Sequence, residues 1–125
     1  MKLIELYNVE RLHDKFNSRT DLSVKTAYKV VRFFETVEKE ASYYRDELIK
    51  ILNEYAERDE EGKVVVSEDG QNIKIKEELL AECEDKLKEL ADIEVDKPSV
   101  TFNLEELPDG WSAQEFELLM PFIEE

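Results

Sequence analysis

The chain predicts a mainly α-helical fold with one β-hairpin: a long helix and a shorter antiparallel one joined by the hairpin, with short helices at both termini. Three observations predict it. Ala27, Val30, Phe34, Val37, Ala41, Tyr44, Leu48, Ile51 and Tyr55 recur at alternating steps of three and four, which places them on one helical face. Val64 and Val66 on one side, and Ile73 and Ile75 on the other, fall on one face of two arms about Asp69-Gly70, a pair suited to a tight turn. Three glycines and three prolines in 125 residues leave few interruptions for regular elements.

A short first helix is expected over residues 3–16, where Leu6, Val9, Leu12 and Phe16 share a face. "NSRTDLS" breaks it and supplies Thr20, Asp21 or Ser23 to cap the next helix. That long helix should run from about Val24 to Glu57, on the order of 50 Å. Its 3.5-residue repeat is the one that wraps helices around a partner; Val31, Phe33, Ile49 and Leu52 beside the stripe widen it beyond a two-stranded seam. Asp59–Gly62 offers the exit, with Gly62 able to take the left-handed conformation. A turn centred on Asp69-Gly70 sets Val66 opposite Ile73, Val64 opposite Ile75 and Val65 opposite Lys74. From Lys76 to about Asp92, Leu80, Cys83, Leu87 and Leu90 resume helical spacing with Leu79 alongside. This second helix is about half as long as its predecessor, so the half of the stripe holding Ala27, Val30, Phe34 and Val37 needs a cover from the first helix, the C-terminal segment or a second subunit. Ile93/Val95 and Val100/Phe102/Leu104 suggest short strands around Pro98. Ser112 and Glu115 form a capping box, Trp111 can staple onto Phe116, and Pro121 ends or kinks the last helix. The chain therefore divides as a single domain, 1–125, with an N-terminal helical arm (1–21), a helix–hairpin–helix (22–92), and strands plus a C-terminal helix (93–125). The apolar "LLMPFI" near its end either docks over the long helix or serves as a docking peptide.

Charge is the strongest compositional fact. There are 17 Lys and Arg against 32 Asp and Glu, a formal −15. Residues 1–50 sum to +1 and residues 51–125 to −16. So acidic a surface repels phosphate backbones and anionic lipid, and suits a basic protein partner or imitation of a polyanion. No apolar run approaches the roughly 20 residues that span a bilayer, and the charge-broken N-terminus does not read as a signal peptide. A single cysteine, Cys83, suits a reducing cytoplasm.

Chemistry is hard to find. His13 is the one histidine and has nothing beside it in sequence to orient it, so a surface position is expected. Cys83 falls on a stripe position, as a small buried hydrophobe would. One His and one Cys cannot make a four-ligand zinc site, the glycines at 62, 70 and 110 form no phosphate-cradling loop, and "SEDGQNIKIKEE" puts strand residues where calcium ligands should stand. No enzyme, metal or cofactor is expected.

"LSVKTAYKVVRFFETVEKE", "EYAERDEEGKVVVSEDGQNIKI" and "KELADIEVDKPSVTFNLEELPDGWSAQEFELLMPFIEE" resemble, in order and composition, a group of small, acidic, mostly uncharacterised proteins of tailed bacteriophages and prophages. The resemblance covers about residues 22–125. It carries no catalytic motif to transfer, and implies a phage-encoded protein acting in the infected bacterial cytoplasm or in the particle. The helix–hairpin–helix order also looks like a prefoldin subunit, but that fold needs two arms of similar length.

The expected function is a non-catalytic, phage-encoded protein–protein interaction protein, in virion assembly or directed at the host. Its contact residues are expected to be the apolar stripe Val30, Phe34, Val37, Ala41 and Tyr44, supporting docking or a homo-oligomer, and an acidic face of Glu82, Asp85, Glu89 and Asp92. The partner would be a protein with a basic surface, neither nucleic acid nor membrane. The alternative is a DNA-mimicking inhibitor of a host nucleic-acid-binding or anti-phage defence protein.

Overall fold

In the computed structural model, which describes residues 1–70 and 72–124, the chain begins with helix α1 (Leu3–Val9), a 3-10 turn over Glu10–Leu12, and helix α2 (His13–Asn17). Leu3, Leu6, Val9, Leu12 and Phe16 are all buried. The apolar spacing thus becomes one continuous face, tightened in the middle by a turn of 3-10 geometry. Ahead of α1, Lys2 makes an antiparallel bridge to Glu94, with Leu3 N–H donating to the Ile93 carbonyl at 2.8 Å and Val95 N–H to the Met1 carbonyl at 2.8 Å. The strand expected at Ile93/Val95 is this single clip.

The long helix, α3, spans Val24–Tyr55. Ser23 is its cap: the residue is extended and its hydroxyl accepts the Thr26 N–H at 3.1 Å, satisfying one of the first-turn donors that has no partner inside the helix. Thr26, Val30, Phe33, Phe34, Val37, Ala41, Tyr44 and Tyr55 are buried along it. Phe33 shows why the stripe is wider than a seam: it faces a different neighbour from Phe34. The helix stops at Tyr55, and Ala56 is already extended, so Gly62 does not end it. Gly62, with φ of 82°, instead serves the turn from Asp59 to Lys63.

The expected hairpin is only partly present, and it is not a two-stranded ribbon. Val66 does bridge Ile73, and Lys74 N–H donates to the Val65 carbonyl at 2.9 Å. Val64 is not opposite Ile75, however: Val64 bridges Arg58 and Ile75 bridges Ala56. The chain leaving α3 wedges between the two arms. Three hydrogen bonds then close a ring, Glu57 N–H to Lys74 O (2.8 Å), Lys74 N–H to Val65 O (2.9 Å) and Val65 N–H to Glu57 O (2.8 Å). Each arm thereby finds backbone partners that a bare ribbon would leave to water, which is why an isolated hairpin is marginal and this knot is preferred. At the turn, Gly70 N–H donates to the Ser67 carbonyl at 2.8 Å and Ser67 N–H to the Asn72 carbonyl at 2.7 Å, with Gly70 at φ of 72°.

A 3-10 turn over Glu77–Leu79 leads into helix α4 (Leu80–Ala91). Cys83 and Leu90 are buried; Leu79 is half-buried, whereas Leu80, expected on the stripe, is exposed. Leu90 packs with Tyr44 and Leu3, and Lys86 spans to α3 by pairing with Glu54 at 3.3 Å over the Tyr55 ring. The short helix therefore covers the C-terminal half of the long one.

The other half is closed by both ends of the chain. On one flank lie α1 and α2. On the other lie strand β1 (Phe102–Asn103), helix α5 (Ala113–Leu119), a 3-10 turn over Met120–Phe122 that accommodates Pro121, and strand β2 (Ile123–Glu124). Strands β1 and β2 pair in parallel, Phe102 with Ile123 and Asn103 with Glu124, and make the one sheet among the described residues. Phe33 meets Phe34, Phe102 and Phe122 edge-on at 5.0, 5.2 and 5.0 Å, and Phe16 lies 5.6 Å from Phe34. Such pairs add about 0.5–1.5 kcal/mol each beyond the area they bury.

Ion pairs fasten the same closure. Lys15 reaches Glu115 at 2.7 Å and the Gly110 carbonyl at 2.9 Å; Lys29 reaches Glu106 at 2.8 Å; Lys2 reaches Asp92 at 3.2 Å. Each joins a base of the first fifty residues to an acid beyond residue 90. Trp111 packs on Phe16 at 4.6 Å, with Lys15 above its ring at 4.8 Å. The Ser112–Glu115 capping box forms as expected, at 2.9 and 3.1 Å.

This packing sets two expected outcomes. Phe34→Ala should cost about 3–5 kcal/mol in urea unfolding, and Phe34→Asp, which strands a carboxylate among aromatic rings, should leave the chain unfolded by circular dichroism rather than split an oligomer. The second concerns acid. Lys15, and then the Ser112 backbone N–H, hold the Glu115 carboxyl down from 4.5 to about 2. A depressed folded value means its contribution is present above pH 4.5 and lost as pH falls toward 2. Glu115→Gln should therefore lower stability at pH 7 and flatten the loss between pH 4.5 and 2 relative to the parent, measured by thermal melts across that range.

Candidate functional site

The five stripe residues expected as a contact surface do not form one. Val30, Phe34, Val37, Ala41 and Tyr44 are each 6% exposed or less. In the C-terminal apolar run Met120 is 59% exposed, whereas Leu119 and Phe122 are fully buried in the core that α3 shares. A partner could reach these side chains only by displacing the chain's own ends. The correction has a simple cause: a helix that is covered by a shorter one over half its length can be covered over the other half by segments distant in sequence.

Glu82, Asp85, Glu89 and Asp92 follow a 3-4-3 spacing on and just beyond α4, and all four are exposed. Asp92 is engaged by Lys2 at 3.2 Å. Glu82, Asp85 and Glu89 have no ion-pair partner among the described residues; of the two bases between them, Lys86 is turned to Glu54 and Lys88 is exposed without pairing to any of the three. Helix α4 is held on its inner side by Cys83 and Leu90, so the three carboxylates stand on a fixed rod.

A second surface lies outside the sequence-based expectations. Leu104, Glu105, Phe116, Met120, Ile123 and Glu124 line an open groove of about 520 Å³ beside the β1–β2 pair. Leu104 and Met120 are each 59% exposed. Periodicity cannot find it, because the residues come from two 3-10 turns, Leu104–Glu106 and Met120–Phe122, from α5 and from β2. The one available signal is the excess of apolar residues at the chain end.

The residues best suited to chemistry are otherwise occupied. His13 is half-buried and stacks on Phe34 at 4.6 Å with 15° between the rings, so it is part of the α2–α3 packing and not the free surface residue expected. It borders a polar hollow with Tyr7, Asp14 and the Arg45–Glu10 pair, whose closest N–O distance is 2.9 Å. Cys83 is buried, and burial, then the Glu84 and Glu54 carboxylates, push its thiol above the ordinary value, away from the reactive thiolate. Among the described residues no group of three or more His, Cys, Asp and Glu is placed to hold a metal ion, and no helix is long and apolar enough to cross a membrane. The thiol should accordingly resist an aromatic disulfide reagent in native buffer and react at once in denaturant; rapid native reaction would show that α4 does not seat as described.

No protein-family model, no curated protein and no solved structure matches this chain.

Proposed function

We propose that the chain is a non-catalytic protein–protein interaction protein of a tailed bacteriophage, acting in the infected bacterial cytoplasm or in the particle, and that its partner presents a basic surface. The observation that carries this is the unpaired acidic row on α4: Glu82, Asp85 and Glu89 are exposed on a rigid helix with no ion-pair partner among the described residues. Among the described residues no base of the N-terminal half pairs with these three, and Lys2, Lys15 and Lys29 are used in closing the fold. With the apolar stripe consumed in the core, self-assembly along Val30–Tyr44 is not part of the proposal. The context rests on the resemblance of residues 22–125 to phage proteins.

The same carboxylates could stand in for phosphates, as a DNA-mimicking inhibitor of a host nucleic-acid-binding protein requires. One experiment separates the two. Immobilised chain is used to capture proteins from infected cells, alongside a variant with Glu82→Lys, Asp85→Lys and Glu89→Lys. Long-range screening makes such contacts salt-dependent, so the parent should retain a basic protein at low salt and release it as salt rises. The variant should lose it while keeping the parent's melting temperature. Retention by the variant overturns the acidic-face proposal. Release of the bound protein by duplex DNA assigns the mimicry role, and indifference to DNA assigns the simple interaction role.

A further inference from the structure

We infer that the groove beside the β1–β2 pair is a docking site for a short segment of another protein in which apolar side chains are flanked by Lys or Arg. The inference rests on the proposal that the partner is basic, and adds a second contact, separate from the α4 row, and what enters it.

Single exposed apolar residues are ordinary on protein surfaces. Here they converge. Leu104 and Met120, each more than half exposed, face one hollow whose floor is Phe116 and Ile123. Its volume, about 520 Å³, falls in the usual range for sites that enclose small groups or side chains. Behind the floor the core is complete: Phe102, Leu119 and Phe122 are fully buried, so the groove walls are fixed by packing that does not involve an occupant.

Charge selects the occupant. Glu105 and Glu124 stand exposed at the rim, and neither has an ion-pair partner among the described residues. Among the described residues no lysine or arginine lines the groove. The neighbouring acids are already engaged, Glu106 with Lys29 and Glu115 with Lys15. An acidic segment is repelled by the rim, and a wholly apolar one leaves the two carboxylates beside a poorly solvated surface. A segment with aliphatic groups inside and ammonium or guanidinium groups outside satisfies both features, and a buried apolar anchor with a charged rim is the usual arrangement at an interface.

The protein carries its own reporter. A second hollow, lined by Leu107, Pro108, Gly110 and Trp111, shares Leu104 and Phe116 with the groove, and Trp111 is the one tryptophan of the chain. The full chain is titrated with a synthetic peptide of alternating Leu and Lys, and with Leu/Glu and Ser/Lys controls, following tryptophan emission with light scattering in parallel. The Leu/Lys peptide should saturate the signal, the controls should not, and Leu104→Arg or Met120→Arg should weaken binding about tenfold or more. Met120→Ser is the milder variant should an arginine disturb folding, checked by its melting temperature. Reversal of Glu82 and Asp85 should change affinity no more than about twofold. The inference is overturned if the groove variants bind the Leu/Lys peptide like the parent, or if the Leu/Glu peptide binds equally well. It is also overturned if the parent self-associates and Met120→Arg abolishes that, since the occupant is then a second copy. Loss on reversing α4 alone removes the groove but keeps the basic partner. Failure of both lysine peptides to bind removes both proposals.

Discussion

Phe33 and Phe34 cannot both be buried by one neighbour. They sit side by side on α3 and point about 100° apart around the helix axis, and each requires its own cover: Phe16 for one, Phe102 and Phe122 for the other. This constraint brings the two ends of the chain to the same half of the same helix. The parallel β1–β2 pair, the seating of Trp111 on Phe16 and the Lys15–Glu115 contact are consequences of two end segments converging there.

The same convergence divides the charges. Along the sequence, a near-neutral first part precedes a strongly acidic second part, which invites an explanation in terms of an outside partner. A small part of the asymmetry is met internally. Lys2, Lys15 and Lys29 each meet a carboxylate from the last third of the chain, at 3.2, 2.7 and 2.8 Å. Such partly exposed pairs contribute modestly to stability, but they align the ends and exclude arrangements that would juxtapose like charges. The α4 row and the groove rim are among the exposed carboxylates that this pairing leaves without an ion-pair partner among the described residues, as are Glu60, Glu77, Glu78 and Glu117.

Much of this is legible in the residues because it is local. The Ser23 start of α3, the capping box at Ser112, the apolar face of residues 3–16 and the Val66–Ile73 pairing each depend on a few neighbouring side chains. The departures are all of longer range. Nothing near Val64 announces that Arg58, not Ile75, will be its partner, because the chain leaving α3 competes for the same backbone groups. A two-residue strand such as Ile123–Glu124 is too short for any alternation to show. His13 looks isolated in sequence and is stacked on a ring twenty-one positions away. The apolar stripe is legible but its covering is not, since periodicity identifies a face to be buried and says nothing about what lies over it. The carboxylates of α4 are readable because exposed charge on a helix is a local property; the groove is not, because it is assembled from several short separate elements.

The closure of α3 by the chain's own two ends is tested most directly by isotope-filtered nuclear Overhauser spectroscopy on a mixture of labelled and unlabelled protein. Ring protons of Phe33 should show cross-peaks to those of Phe102 and Phe122, and Phe34 to Phe16, all within one molecule. Absence of those cross-peaks, or their appearance only between labelled and unlabelled chains, would contradict the account, because the stripe would then be covered by a second copy or by nothing.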